Sequence, residues 1–206
     1  MSAAQLLKIS REIAAIAQTG LAYTDGAYDR ERYHRLQEIA AELLALQTTL
    51  SAESIAETLS LESGYATPKV DVRGAVFRGE KILLVRERAD GRWCLPGGWA
   101  DINMTPRQCV QKELREESGL HVRVVKLAAV LDKALHEHPP SWDYTYKLFF
   151  LCEETGGELT TSLETDAVDF FAISTLPHLS LERTTARQIE RMFFHYRHPD
   201  AATDVD

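Results

Sequence analysis

Leu6, Ile9, Ile13 and Ile16 recur at steps of three and four residues, the spacing that lines one face of a helix. Gly20 stands where such a helix would stop, and Asp25-Gly26 marks a turn. Asp29 is the expected N-cap of a second helix with Tyr33, Leu36, Ala40, Leu43 and Gln47 along one stripe. A short third helix is expected from Ser54 to Leu59, because Ser54 and Glu57 have capping-box spacing. The stretch from Glu62 to Pro68 then reads as a linker.

From Pro68 the pattern changes to strands. Val70–Phe77 and Lys81–Arg86 flank Arg78-Gly79-Glu80, an expected hairpin turn. A strongly marked helix follows over about 105–118, with Thr105 as cap, Pro106 at its first position, Gln108 closing a capping box and Gly119 as its stop. Strands are expected over about 121–131, 145–152 and 168–173, and a last amphipathic helix from Thr185 to about His195. The order predicts an α+β fold with a mixed sheet over residues 68–206, preceded by a small all-α domain over residues 1–64.

Composition narrows the function. The 206 residues are 45% apolar and 26% charged, which suits a globular chain with a real core. The longest apolar runs, such as Leu148–Cys152, are far short of the roughly twenty residues that span a bilayer. No cationic stretch followed by an apolar block opens the chain, so no signal peptide is expected. Cys94, Cys109 and Cys152 are odd in number and widely spaced, so the expected compartment is the cytoplasm. A net charge of −8 argues against dedicated DNA binding, yet it leaves phosphorylated substrates open if a cation supplies the positive charge.

The marked helix carries that possibility. Glu113, Glu116 and Glu117 fall on one face at helical spacing, where they repel one another unless something positive lies between them. Alone, such a cluster reads as a solvated acidic face. Leu95-Pro96-Gly97-Gly98-Trp99 changes that reading, because glycines let the backbone approach a metal or phosphate. A hard divalent cation with oxygen ligands would remove the repulsion.

With those residues in place, the sequence resembles the Nudix hydrolases, whose signature is G-x5-E-x7-R-E-U-x-E-E-x-G-U. Gly98, Glu113, Leu114, Glu116, Glu117, Gly119 and Leu120 match in register, while Met104 stands in place of Glu and Lys112 in place of Arg. Thr67–Arg73, Gly97–Asp101, Lys147–Cys152 and the Ala22-Tyr23 to Tyr33 region are similar to a bacterial branch with a helical N-terminal domain. Its enzymes are described as ADP-ribose, CDP-choline and UDP-X pyrophosphatases. The resemblance implies an α/β/α sandwich and a site in which Glu116, Glu117 and the Gly97 carbonyl hold Mg²⁺ or Mn²⁺. Glu113 would complete the metal shell or act as general base, and Glu164 would add a further acid, with Asp166 as its rival. The products would be a nucleoside monophosphate and phosphorylated X. Methionine suits a hard cation poorly and lysine lacks arginine's planar fork, so the two departures remove a carboxylate and a rigid partner together.

Other residues point to substrate contacts. Trp93, Trp99, Trp142, Tyr144 and Tyr146 fall near loop-to-strand junctions, where an aromatic can stack on a base or simply pack; Trp99 is the foremost candidate. His136, in a proline-stiffened loop, is a candidate substrate contact, and Lys69 and Arg73 are candidate phosphate contacts on a strand that could equally be solvated. Cys94 has no histidine partner in pattern and reads as a small buried residue. The first 64 residues carry five basic residues against nine acidic ones, a poor DNA reader but a fitting dimerisation or lid domain, so a homodimer is expected. The competing readings are a Nudix-like sensor that binds ligand without turnover and an RNA-processing activity at the same metal site.

Overall fold

A computed structural model describes residues 2–206. Two compact units divide the chain: Met1–Lys69 with Pro140–Tyr144, and Val70–Pro139 with Thr145–Asp206.

The first unit is built from α1 (Ala3–Tyr23), α2 (Ala27–Ala45) and α3 (Ala52–Leu61). Its helices exist where expected, but their faces and ends differ. Gly20 does not stop α1, which runs on to Tyr23. A Cβ at Gly20 would come within 2.4 Å of the Tyr33 ring, so this glycine lets α2 lie close against α1. The buried stripe of α1 is Ser10, Ala14 and Ala17, while Ile9 and Ile16 are exposed. In α2 the stripe is Gln37, Ala40, Ala41 and Leu44. Gly26 is its N-cap, and Asp29 sits in the first turn, paired with Arg32 at 2.7 Å. Ser51, not Ser54, caps α3 by accepting from the Ser54 N–H. Ala14, Ala40, Leu44, Ile55 and Leu59 form this unit's core, and Trp142 packs against it.

The second unit is a mixed sheet between two helices. Its strands are β1 (Lys69–Arg78, whose first residue belongs to the helical unit), β2 (Lys81–Glu87), β3 (Trp93–Cys94), β4 (Gly97–Trp99), β5 (Leu120–Asp132), β6 (Thr145–Gly157), β7 (Thr165–Ala172) and β8 (Asp204–Val205). The path runs β3-β2-β1-β6-β5-β8, with β4 pairing β1 and β7 pairing β2. β5 and β8 run parallel, whereas β1–β2, β2–β7 and β5–β6 are antiparallel. The helices are α4 (Pro106–Ser118) and α5 (Ala186–Arg197).

Strand alternation separates two apolar layers. Val72, Val76 and Leu83 face Val110 and Leu114 of α4. Ala75, Ile82, Leu84 and Phe149 face Ile189, Met192 and Phe193 of α5. The result is the expected α/β/α sandwich. Every terminal signal of α4 acts as read: Thr105 and Gln108 form the capping box, and Gly119 takes a left-handed φ of 77°.

Candidate active site

The acidic face of α4 is positioned by its opposite side, where Val110 and Leu114 are fully buried. That packing sets Glu117 against Gly97 and Glu113 beside Gly98 of β4, and the three glutamates lie at three different depths. The Glu117 side chain is almost fully buried, Glu113 is largely covered and Glu116 is half exposed.

Glu117 is held by the backbone. Its Oε2 accepts a hydrogen bond from the Gly97 N–H at 2.8 Å. Gly97 has φ of +142°, and a Cβ there would lie 2.0 Å from the Val72 carbonyl oxygen, so only glycine fits. Burial pushes the Glu117 carboxyl up to about 7, although the Arg73 guanidinium and the Gly97 N–H pull the other way. Glu113 is also raised, first by burial, with the charges of Glu116 and Glu164 adding to it against Lys112 and Arg73. Its carboxylate lies beside Gly98, where a Cβ would approach Oε2 to 3.2 Å.

Glu164 belongs to a loop fastened to the same helix. The Thr165 hydroxyl donates to the Glu117 carbonyl at 2.9 Å, and the Thr160 N–H donates to the Ser118 carbonyl at 3.0 Å. Its rival Asp166 is engaged elsewhere, accepting from Arg86 Nε at 2.6 Å.

Lys112 lies among the carboxylates. Its Nζ is 2.8 Å from Asp101 Oδ2, 3.5 Å from Glu116 and 3.9 Å from Glu113. Asp101 is thus the acidic partner of Lys112, while Met104 packs against the α4 core layer. Sequence reasoning singled out Lys112 but missed Asp101, which stands in the quoted Gly97–Asp101 stretch without a spacing rule to flag it.

The structure brings together Gly97, Glu113, Glu116, Glu117 and Glu164, with Trp99 half exposed at the end of the same short strand. The other candidates lie otherwise. Arg73 is buried, not solvated: its Nε and Nη2 donate to Asp71 at 2.8 and 3.2 Å, and its Nη1 to the Leu95 carbonyl at 3.0 Å. Lys69 pairs with Glu62 at 2.6 Å within the helical unit. Tyr146 lies on β6 opposite Asp132 of β5 and is partly exposed. His136 Nε2 is 3.0 Å from Asp206, and it lines a cavity of about 500 Å³ with Leu131, Thr185, Arg191 and Asp206 that none of the α4 glutamates borders. His138 is pushed down to about 4 by burial, and its neutral ring sits between Gln188 and the Leu181 carbonyl. Cys94 is buried, as expected, with its thiol raised by burial and donating to Glu87.

The donor set suits a hard divalent cation by its chemistry, although among the described residues no three acidic, histidine or cysteine side chains converge as a metal-holding group. The set is oxygen throughout, and glycine at 98 leaves space beside the Glu113 carboxylate. Glu113 and Glu117, both raised first by burial, gain from a cation beside them.

Comparison with known proteins agrees with this architecture. Residues 67–193 match the NUDIX domain, and residues 4–59 match the "UDP-X-like, N-terminal oligomerisation domain". The chain therefore belongs to the Nudix family, and it is a Nudix hydrolase with an added helical domain. It is 45% identical over 200 residues to "Putative ADP-ribose pyrophosphatase YjhB" of Bacillus subtilis, covering 97% of this chain and 96% of that one. A solved UDP-X diphosphatase matches over 100% of both chains with 34% identity and a TM-score of 0.65. A solved ADP-ribose pyrophosphatase from Streptococcus suis matches 68% of this chain and 100% of its own, with 41% identity and a TM-score of 0.63.

Proposed function

We propose that this chain hydrolyses the pyrophosphate bond of a nucleoside diphosphate joined to a second moiety, of the ADP-ribose, CDP-choline or UDP-X type. The products are a nucleoside monophosphate and phosphorylated X, and the reaction needs Mg²⁺ or Mn²⁺. The observation that carries this reading is the buried Glu117 carboxylate bonded to the Gly97 N–H, beside Glu113 and the loop of Glu164. The names of the relatives over nearly the whole chain support the substrate class.

When bound, the divalent ion supplies charge to the diphosphate oxygens and makes the attacking water more acidic. Glu116, Glu117 and the Gly97 carbonyl would hold it, with Glu164 joining from its loop. Glu113 is assigned the general base because its partly buried carboxylate lies beside Gly98, whereas the Glu117 carboxylate is tied to the Gly97 N–H. Lys112 and Asp101 keep Glu113 and Glu116 in place. Trp99 offers a half-exposed ring to the nucleobase.

The helical unit pairs two copies of the chain. Ile9, Ile16 and Tyr23 recur every seven residues on α1, and all three are exposed, which places three apolar side chains along one face for a second copy to cover. Three free, buried cysteines suit a reducing cytoplasm, and no described helix is long and apolar enough to cross a membrane.

The test is phosphate release, coupled through a phosphomonoesterase, from ADP-ribose, CDP-choline, UDP-sugars, dinucleotides and nucleoside triphosphates with each metal. Metal-dependent turnover of one diphosphate diester, absent in Glu117→Gln, supports the reading. Tight binding of a panel member without turnover under any metal overturns it.

A further inference from the structure

The site is backed by a buried ion cluster that the mechanism above does not use. Asp71, Arg73 and Lys147 are each at most 5% exposed. Asp71 accepts both Arg73 bonds and a further one from the Lys147 ammonium. Two cations share the one carboxylate of Asp71 inside the protein, and the buried Glu117 carboxyl also acts on Arg73; holding these charges away from water is costly. Burial pushes Lys147 down to about 8 even against Asp71. A buried ion cluster is weak evidence of stability, which turns attention to what this one holds in place.

Its geometry shows what that is. The remaining Arg73 arm, Nη1, bonds the Leu95 carbonyl, and the neighbouring Gly74 N–H bonds the Pro96 carbonyl at 2.9 Å. Across β1 and β4, Arg73 is the register partner of Gly97. Leu95, Pro96 and Gly97 are thus fixed one after another, by Arg73, by Gly74 and by Glu117. Arg73 can hold Leu95 only because Asp71 fixes the other side of its planar fork and Lys147 fixes Asp71.

We propose that Arg73, locked by Asp71 and Lys147, is a positioning residue that sets the Leu95–Gly97 turn and with it the metal-binding face of Glu117 and Gly97. The inference rests on the metal-dependent hydrolase reading, and it concerns residues that touch neither substrate nor metal.

Two variants test it. Arg73→Lys keeps the charge but cannot reach Asp71 and Leu95 together. Arg73→Met removes the guanidinium and leaves Asp71 paired with the Lys147 ammonium, so no buried charge is stranded. For each, kcat and KM are measured on the best substrate, Mn²⁺ affinity is read from the free-ion electron paramagnetic resonance signal, and unfolding temperature is recorded. The expected result is folded protein with KM little changed and a loss on the order of 10–100-fold in kcat or Mn²⁺ affinity, the usual effect of removing a ligand's support. A purely structural cluster would lower the unfolding temperature and leave Mn²⁺ affinity unmoved. Either folded variant with wild-type kcat and Mn²⁺ affinity overturns the proposal, as does failure of both variants to fold. If the wild type turns over no substrate, the hydrolase reading falls, and the Mn²⁺ comparison alone decides the role of Arg73. A wild type that neither turns over nor binds Mn²⁺ overturns both.

Discussion

The helical unit and the sandwich distribute polarity in opposite ways. Around α1 the interior is small and partly polar, with Ser10, Ala14 and Ala17 inside and Ile9, Ile16 and Tyr23 outside. In the sandwich, Asp71, Arg73, Glu87, Glu117 and Lys147 are all inside. Apolar surface left in water is relieved by another protein surface, and charge held away from water is relieved by a counter-ion. The first unit therefore has the makings of an association surface, and the second has the makings of an ion site.

The largest effect that would break this contrast lies at Glu117. Glu117→Gln keeps an acceptor for the Gly97 N–H but removes the charge, so kcat should fall by about 10³-fold or more, measured by coupled phosphate release. An unchanged kcat would separate the buried carboxylate from catalysis. At the other unit, Ile9→Glu with Ile16→Glu places two charges on the exposed stripe. The dissociation constant of the assembly should rise by about 100-fold or more, read by light scattering across a dilution series. A mass independent of concentration and equal to wild type would remove the stripe from the interface.

The pH response of the metal-free protein sharpens the comparison. Glu117 is raised from 4.5 to about 7, so between those values the folded state holds a proton that the unfolded state has released. Stability contributed by the protonated form is complete below about 4.5 and is lost as pH rises through 7. The loss is on the order of 3 kcal/mol. Urea unfolding at a series of pH values should show this slope in wild type, and Glu117→Gln should flatten it.

Smaller effects test the packing. Gly20→Ala should cost about 1–3 kcal/mol, because the added Cβ meets the Tyr33 ring at 2.4 Å, and urea unfolding would measure it. Met104→Glu and Lys112→Arg, singly and together, should change kcat non-additively if Asp101 now serves Lys112. Additive values would show that the two positions act independently.

These contrasts also explain what was legible in the sequence. The helix α4 was readable to its ends because its caps are local: Thr105, Pro106, Gln108 and Gly119 act within a turn of their own positions. The faces of α1 and α2 were read only in part, with Ile13 and Ala40 at the core as expected, because alanine and serine carry little hydrophobic signal yet let helices approach closely. The strands β3, β4 and β8 escaped notice because two or three residues hold no period, and β4 and β8 exist only through partners distant in sequence. The buried Arg73 was invisible for a related reason. A cation on a strand looks solvated until its partners Asp71, Leu95 and Lys147 are seen around it. The candidate site was readable in its glutamates and glycines, whose spacing is regular. It was not readable in Asp101 and Thr165, whose contributions depend on which loop meets which helix end.

The helical unit is not a contiguous stretch of chain, because Pro140–Tyr144 belongs to it and Trp142 packs on its core. Trading or deleting the first 64 residues would therefore strand an indole made for a pocket that had gone. A swap of the helical unit between relatives has to carry residues 140–144 together with the first 69.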